Sequence, residues 1–100
     1  FMGAYHGMTL GSLSITGNTG VRAGTIGTLN NVTFMPYPYG FMESFDTIEY
    51  IESVLNDVNS GIEKPAAIIF ETVQAEGVVI VAPLKWMQRL RMLCDENDIL

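Results

Sequence analysis

Basic residues are scarce in this chain of 100 residues, which has five lysines and arginines against eleven acidic residues and a net charge of −6. Because nucleic-acid phosphates bind to cationic surfaces, this balance argues against a nucleic-acid-binding protein. Cysteine and histidine each occur only once, as Cys94 and His6. A single cysteine excludes an internal disulfide, and a single histidine does not make a metal site by itself.

Long hydrophobic runs are also missing. No stretch approaches the ~20 apolar residues that span a bilayer, and the first residues lack the basic start of a signal peptide. Cys94 lies on the apolar stripe of a predicted helix, where we expect a small buried side chain and not a reactive thiol. Together these absences predict a soluble, cytoplasmic protein with no membrane or nucleic-acid partner.

The length is small for a doubly wound cofactor-binding domain, which needs helices on both faces of its sheet. The first residues, Phe1 to Ala4, are typical of a strand entering a turn, and Ile99 and Leu100 are typical of the opening of a buried strand. We therefore expect residues 1–100 to be a fragment of one larger domain, truncated at both ends.

Two segments have the periodicity of amphipathic helices. Asp46 can cap the first helix, with Glu49 three positions later, and Gly61 ends it. The apolar face of this helix consists of Ile48, Ile51, Val54, Leu55 and Val58. Pro83 suits the first turn of the second, whose predicted core face is Leu84, Met87, Leu90, Leu93 and Cys94. A shorter helix is predicted over residues 8–15 and a loop over residues 17–31.

Two apolar segments are predicted to be strands. Val32–Met35 is a short one, ended by two prolines whose neighbouring tyrosines we expect to cover the core. Residues 66–70 are uninterruptedly apolar, which predicts a strand covered on both faces. The alternation of helix and strand predicts an α/β fold, a mainly parallel sheet with flanking helices, whose functional groups lie at the carboxyl ends of the strands.

The most informative pattern comes directly after residues 66–70. Glu71, Gln74 and Glu76 form a Glu-x-x-Gln-x-Glu-Gly turn at the position where such a sheet binds its ligands. A second pattern, Tyr5 and His6 before a glycine, lies about sixty residues earlier. From the residues alone, these could also be a solvated acidic turn, a half-buried aromatic and a hydrogen-bonded turn histidine.

Together the two patterns resemble the class III aminotransferases, which carry pyridoxal 5′-phosphate (PLP). The resemblance extends over residues 32–37, 63–67 and 93–100. It implies the large, PLP-binding domain of the fold type I transferases. It also implies an amino acid and a 2-oxo acid as substrates, and an intact enzyme that is a homo-oligomer.

The same resemblance implies roles for individual residues. Tyr5 would stack on the cofactor ring, His6 would adjoin the cofactor or substrate pocket, and Glu71 would belong to the network beside the ring. Gln74 and Glu76 would lie on the substrate side. One departure is visible, since Val78 follows Gly77 where many relatives have a second glycine, and a valine with positive φ would be strained.

No catalytic residue and no metal ligand are expected within the chain. Its only lysines, Lys64 and Lys85, do not match the family's Schiff-base position. The aspartate that pairs with the ring nitrogen and the phosphate-binding segment would both lie outside these residues. The resemblance thus predicts a fragment that is inactive alone.

The run from Gly7 to Leu13 favours the branch of the family that transfers the amino group of L-glutamate to L-aspartate 4-semialdehyde, giving L-2,4-diaminobutyrate and 2-oxoglutarate. An ω-aminotransferase of the 4-aminobutyrate or N-acetylornithine type is the alternative. A non-catalytic α/β module that binds a partner through its glycine-rich loop is the alternative from a different class.

Overall fold

The computed structural model describes residues 1–25, 30–39, 44–76 and 78–100. Its helices are α1 (Leu10–Ser14), α2 (Thr19–Arg22), α3 (Thr47–Asn56) and α4 (Leu84–Asn97). Two short strands, β1 (Val73–Gln74) and β2 (Ile80–Val81), pair in an antiparallel ladder. None of the described helices is both long enough and apolar enough to cross a membrane.

Helix α3 begins as predicted and ends early. The Asp46 carboxylate accepts from the amides of Ile48 at 3.1 Å and Glu49 at 3.0 Å, which satisfies two of the unpaired donors of the first turn. The prediction that the helix runs to Gly61 is wrong. Asp57 is extended and its side chain accepts from the amide of Asn59 at 2.8 Å, a local bond that competes with the helix. Val58, predicted to be in the core, is therefore 96% exposed.

Helix α4 follows Pro83 and ends at Asp98, whose backbone is left-handed. Leu90, Leu93 and Cys94 are buried as predicted. Leu84, also predicted to be in the core, is 67% exposed, and Trp86 takes the core position in the first turn instead. The indole of Trp86 donates to the Thr47 hydroxyl at 2.6 Å, which joins α4 to the start of α3.

Four aromatic rings occupy the centre of the core. The Phe1 ring packs edge-on against those of Tyr37, Phe70 and Trp86, with centroids 5.3 to 6.3 Å apart. Tyr37 is completely buried, which confirms the expectation for this tyrosine, whereas Tyr39, also expected to cover the core, is 38% exposed. Edge-to-face contacts of this kind add to the free energy gained by burying the rings.

Residues 66–70, predicted to be a strand, do not form a regular strand in this structure. Leu100 donates to the carbonyl of Ala66 at 3.1 Å and accepts from the amide of Ile68 at 2.8 Å, which is one repeat of a parallel ladder. The expectation of cover on both faces is wrong for this structure. Ile68 and Phe70 pack against the core, whereas Ile69 is 50% exposed because no described element lies over its face.

The α/β character is confirmed, but the sheet differs from the mainly parallel one predicted. Among the described residues, the assigned sheet is the antiparallel pair β1–β2, which pairs Val73 with Val81 and Gln74 with Ile80. Val32–Met35, predicted to be a strand, does not form one in this structure, although the Met35 carbonyl accepts from the amide of Met2 at 2.9 Å. Helix α2 interrupts the predicted loop 17–31, of which residues 26–29 lie outside the described part.

Candidate active site

Glu71 brings the two sequence patterns together. Its carboxylate accepts from the backbone amide of Tyr5 at 2.9 Å, a contact across 66 positions of sequence. Its backbone carbonyl accepts from the hydroxyl of the buried Tyr37 at 2.9 Å. The main chain of Glu71 is thus tied to the core, while its half-buried carboxylate holds the turn that carries Tyr5.

Residues 4–18 form a closed loop around α1, which we call the site loop. At its neck, the Ala4 carbonyl accepts from the amides of Gly17 at 2.8 Å and Asn18 at 3.2 Å. A side chain on Gly17 would overlap the carbonyl oxygen of Phe1 and would lie 3.0 Å from the Gly3 nitrogen. The neck therefore requires glycine at position 17, because the clashing atoms belong to the backbone and cannot rotate away.

His6 lies inside the site loop. Its amide donates to the Thr16 hydroxyl at 3.0 Å, and its Nε2 is buried without a hydrogen-bond partner among the described residues. Burial lowers the pKa of His6, and the nearby Glu71 carboxylate opposes this shift without cancelling it. Burial thus favours the neutral imidazole, which has one nitrogen without a partner among the described residues.

Gln74 is tied to the residues that lead into the site loop. Its side chain is 2% exposed, and its amide nitrogen donates to the Met2 carbonyl at 3.0 Å. A side chain on Gly3, which has φ of 76°, would approach the Gln74 Oε1 to 2.8 Å. The Gln74 side chain therefore holds the backbone at Met2 and Gly3, just before the site loop, and its predicted contact with a substrate stays a prediction.

Glu76 is exposed and does not take part in the hydrogen bonds that join Tyr5, Glu71 and Gln74 to their neighbours. Strain at Val78 was expected only if its φ is positive. Because that angle depends on Gly77, which lies outside the described residues, the strain stays a prediction.

Sequence reasoning missed two groups that hold the site. Thr16 is fully buried and contacts the turn after Tyr5, and Tyr37, predicted only as a core residue, also bonds to Glu71. Neither role has a local signal, because each depends on a hydrogen bond that forms only when distant segments meet.

A groove of about 630 Å³ lies elsewhere, between residues 30–35 and 61–69. Its apolar wall includes Phe1, Ile51 and Leu55, and none of the predicted site residues lines it. The groove reaches the site loop at Ile15, but it does not include Tyr5, His6 or Glu71.

Comparison with known proteins agrees with the two patterns. The model of the family described as aminotransferase class III matches residues 1–100. The chain is 48% identical to a diaminobutyrate–2-oxoglutarate transaminase of Halalkalibacterium halodurans and 47% identical to one of Nocardia farcinica, in each case over all of this chain and 23% of the relative. A protein of the same name from Bordetella parapertussis is 48% identical over the same shares.

The chain therefore belongs to the class III aminotransferases. Members of this family generally depend on PLP and act on an amino acid and a 2-oxo acid. The chain spans 23% of the length of these curated relatives, so the family is established for this segment.

Proposed function

We propose that residues 1–100 are a segment of the PLP-binding large domain, of the fold type I kind, in a longer aminotransferase. The reaction we propose for that enzyme transfers the amino group of L-glutamate to L-aspartate 4-semialdehyde and gives L-2,4-diaminobutyrate and 2-oxoglutarate. The names of the relatives support this reaction, since they combine diaminobutyrate with 2-oxoglutarate.

The contact between Tyr5 and Glu71 carries the proposal. The Glu71 carboxylate, 2.9 Å from the Tyr5 amide, holds the backbone of Tyr5. Glu71 directly follows residues 66–70, which pair with Leu100. Ligand sites in α/β proteins lie at such ends. The two motifs on which the family resemblance rests thus meet at one place, although they are far apart in sequence.

The residues present fit a flat aromatic cofactor. The Tyr5 side chain is half-buried and lies outside the cluster of Phe1, Tyr37, Phe70 and Trp86. The buried Nε2 of His6 has no partner within the described residues, so a polar group of a ligand can satisfy it. When bound, PLP supplies the electron sink for amino-group transfer.

Each site residue then has a proposed task. Tyr5 offers its ring for stacking, His6 offers a neutral nitrogen to the cofactor pocket, and Glu71 orients both by holding their turn. Glu76, which is exposed, and Gln74 lie on the substrate side. The lysine, the ring-nitrogen partner and the phosphate site come from other parts of the enzyme, which we propose to be a cytoplasmic homo-oligomer.

The test is an assay of the full-length enzyme, purified with PLP, on L-glutamate and L-aspartate 4-semialdehyde. Formation of 2-oxoglutarate together with 2,4-diaminobutyrate is the expected result. 4-Aminobutyrate and N-acetylornithine serve as competing amino donors, and faster turnover of either would move the enzyme to another branch of the family. A full-length protein that binds no PLP would contradict the proposal and favour a binding module.

A further inference from the structure

Thr16 occupies an unusual place for a polar residue. It comes just after α1, it is fully buried, and its hydroxyl lies 3.0 Å from the His6 nitrogen, 2.9 Å from the Ser12 carbonyl and 3.3 Å from the Gly7 carbonyl. One hydroxyl thus contacts the turn before α1 and the last turn of α1 itself.

The chemistry of a hydroxyl assigns a direction to these contacts. The oxygen accepts the His6 N–H, and its single proton goes to one of the two carbonyls, Ser12 or Gly7. No other acceptor is found for the His6 amide among the described residues. Without the hydroxyl, that N–H would be left unpaired inside the loop, which is costly for a buried donor.

The neighbouring residues give the turn few other restraints. Tyr5 is held by the Glu71 carboxylate on one side of His6, and Gly7 has φ of 117°, a conformation that needs glycine. Between these points, the Thr16 hydroxyl is the contact that fixes the His6 backbone. The geometry therefore pins the turn at two successive amides, those of Tyr5 and His6.

We propose that Thr16 is a positioning residue for the cofactor site, acting through the backbone of Tyr5 and His6 and not by touching the cofactor. This inference rests on the proposed function, because it assigns Thr16 a role in the orientation of the residue that stacks on PLP. It adds a buried hydroxyl from outside both sequence motifs to the groups that build the site.

The experiment compares Thr16→Val with Thr16→Ser in the full-length enzyme. Valine has a similar shape but no hydroxyl, whereas serine keeps it. Thr19→Val, at an exposed position of α2, is the control for removing a threonine hydroxyl. The readouts are the dissociation constant of PLP, measured by titration of the apoenzyme, and the circular dichroism of the bound cofactor, which reports its orientation.

Thr16→Val is expected to weaken PLP binding by roughly 5- to 30-fold and to change the circular dichroism of the cofactor, since an unpaired donor displaces the turn. Thr16→Ser and Thr19→Val are expected to stay within about threefold of the wild type. In a Tyr5→Ala background the effect of Thr16→Val should shrink to about twofold, because the two residues act as one unit.

Each other outcome has a distinct meaning. A wild-type enzyme that does not bind PLP overturns the proposed function and this inference with it. If Tyr5→Ala weakens PLP binding and Thr16→Val leaves it unchanged, the role of Thr16 alone is overturned. Equal effects of Thr16→Val with and without Tyr5 would mean that the hydroxyl only stabilises the fold, which also contradicts the inference.

If Thr16→Val does not fold, hydrogen exchange on the wild-type enzyme decides the matter. We expect the His6 amide to be protected in the apoenzyme and further protected when PLP is bound. Exchange of that amide at the rate of exposed amides, in either state, would overturn the inference.

Discussion

Gly17→Ala is expected to open the neck of the site loop. The new methyl group would overlap the Phe1 carbonyl oxygen and would lie 3.0 Å and 3.2 Å from the nitrogens of Gly3 and Ala4. Because all three are backbone atoms, the segments must separate, and the bonds from Gly17 and Asn18 to the Ala4 carbonyl are strained or lost. Overpacking together with weakened hydrogen bonds gives a cost of about 2–3 kcal/mol.

Hydrogen exchange in the full-length enzyme measures this cost locally. A loss of about 2–3 kcal/mol corresponds to roughly 30- to 150-fold faster exchange of the Gly17 and Asn18 amides. Gly11→Ala is the matched control, because position 11 lies in α1 with no atom within 4 Å of the added methyl group. That change should slow exchange in α1 slightly, since alanine favours helix by about 0.5–1 kcal/mol over glycine. Equal exchange at the neck in both variants would refute the close approach of residues 1–4 and 17.

Three further predictions concern buried groups. Thr47→Val leaves the Trp86 indole N–H unpaired and should destabilise the enzyme by about 1–3 kcal/mol in urea, whereas Thr47→Ser should cost less; equal costs would contradict the importance of the 2.6 Å bond. His6 has a lowered pKa, so its contribution to stability is complete above its unfolded pKa of about 6.5 and is lost as the pH falls towards the folded value. A His6→Gln variant should therefore lose less stability than the wild type between pH 7 and 5, and parallel curves would contradict the burial of the imidazole. Burial raises the pKa of the Cys94 thiol, so peptide mass spectrometry should find it alkylated only after unfolding, and rapid labelling of the native enzyme would contradict its place in the core.

The two longer helices could be predicted because their apolar residues repeat at helical intervals and their starts carry recognisable signals. The carboxylate of Asp46 and the ring of Pro83 mark those starts in the sequence itself. The errors fall at the helix ends. Nothing in the periodicity predicts that Asp57 would bond to Asn59 and stop α3, or that Trp86 would replace Leu84 in the core.

The strands were harder to predict, because a strand depends on its partner. Residues 66–70 have the composition of a buried parallel strand, yet among the described residues their ladder partner is Leu100 alone. Strand β1 lies inside the segment predicted to be a turn, and its antiparallel partner β2 lies a few residues after that segment. Pairing between segments is not encoded in either segment alone.

The candidate site was predicted in part. The family resemblance predicts that Tyr5, His6 and Glu71 belong to one site, and the Glu71 carboxylate accepts from the backbone amide of Tyr5. Thr16 was not predicted, because its importance comes from the closure of a loop and not from a motif. Local patterns thus point to the residues of a site, whereas the groups that hold them depend on the tertiary fold.

The most direct test of the central claim is the dissociation constant of PLP for Tyr5→Ala in the full-length enzyme. Tyr50→Ala, at an exposed position on α3, is the control for losing a tyrosine. If the turn held by Glu71 is the stacking face of the cofactor site, Tyr5→Ala should weaken PLP binding by roughly 5- to 50-fold, because stacking and burial of the ring are lost. Tyr50→Ala should leave binding unchanged. Equal affinity of the wild type and Tyr5→Ala would contradict the claim that this turn forms the cofactor site.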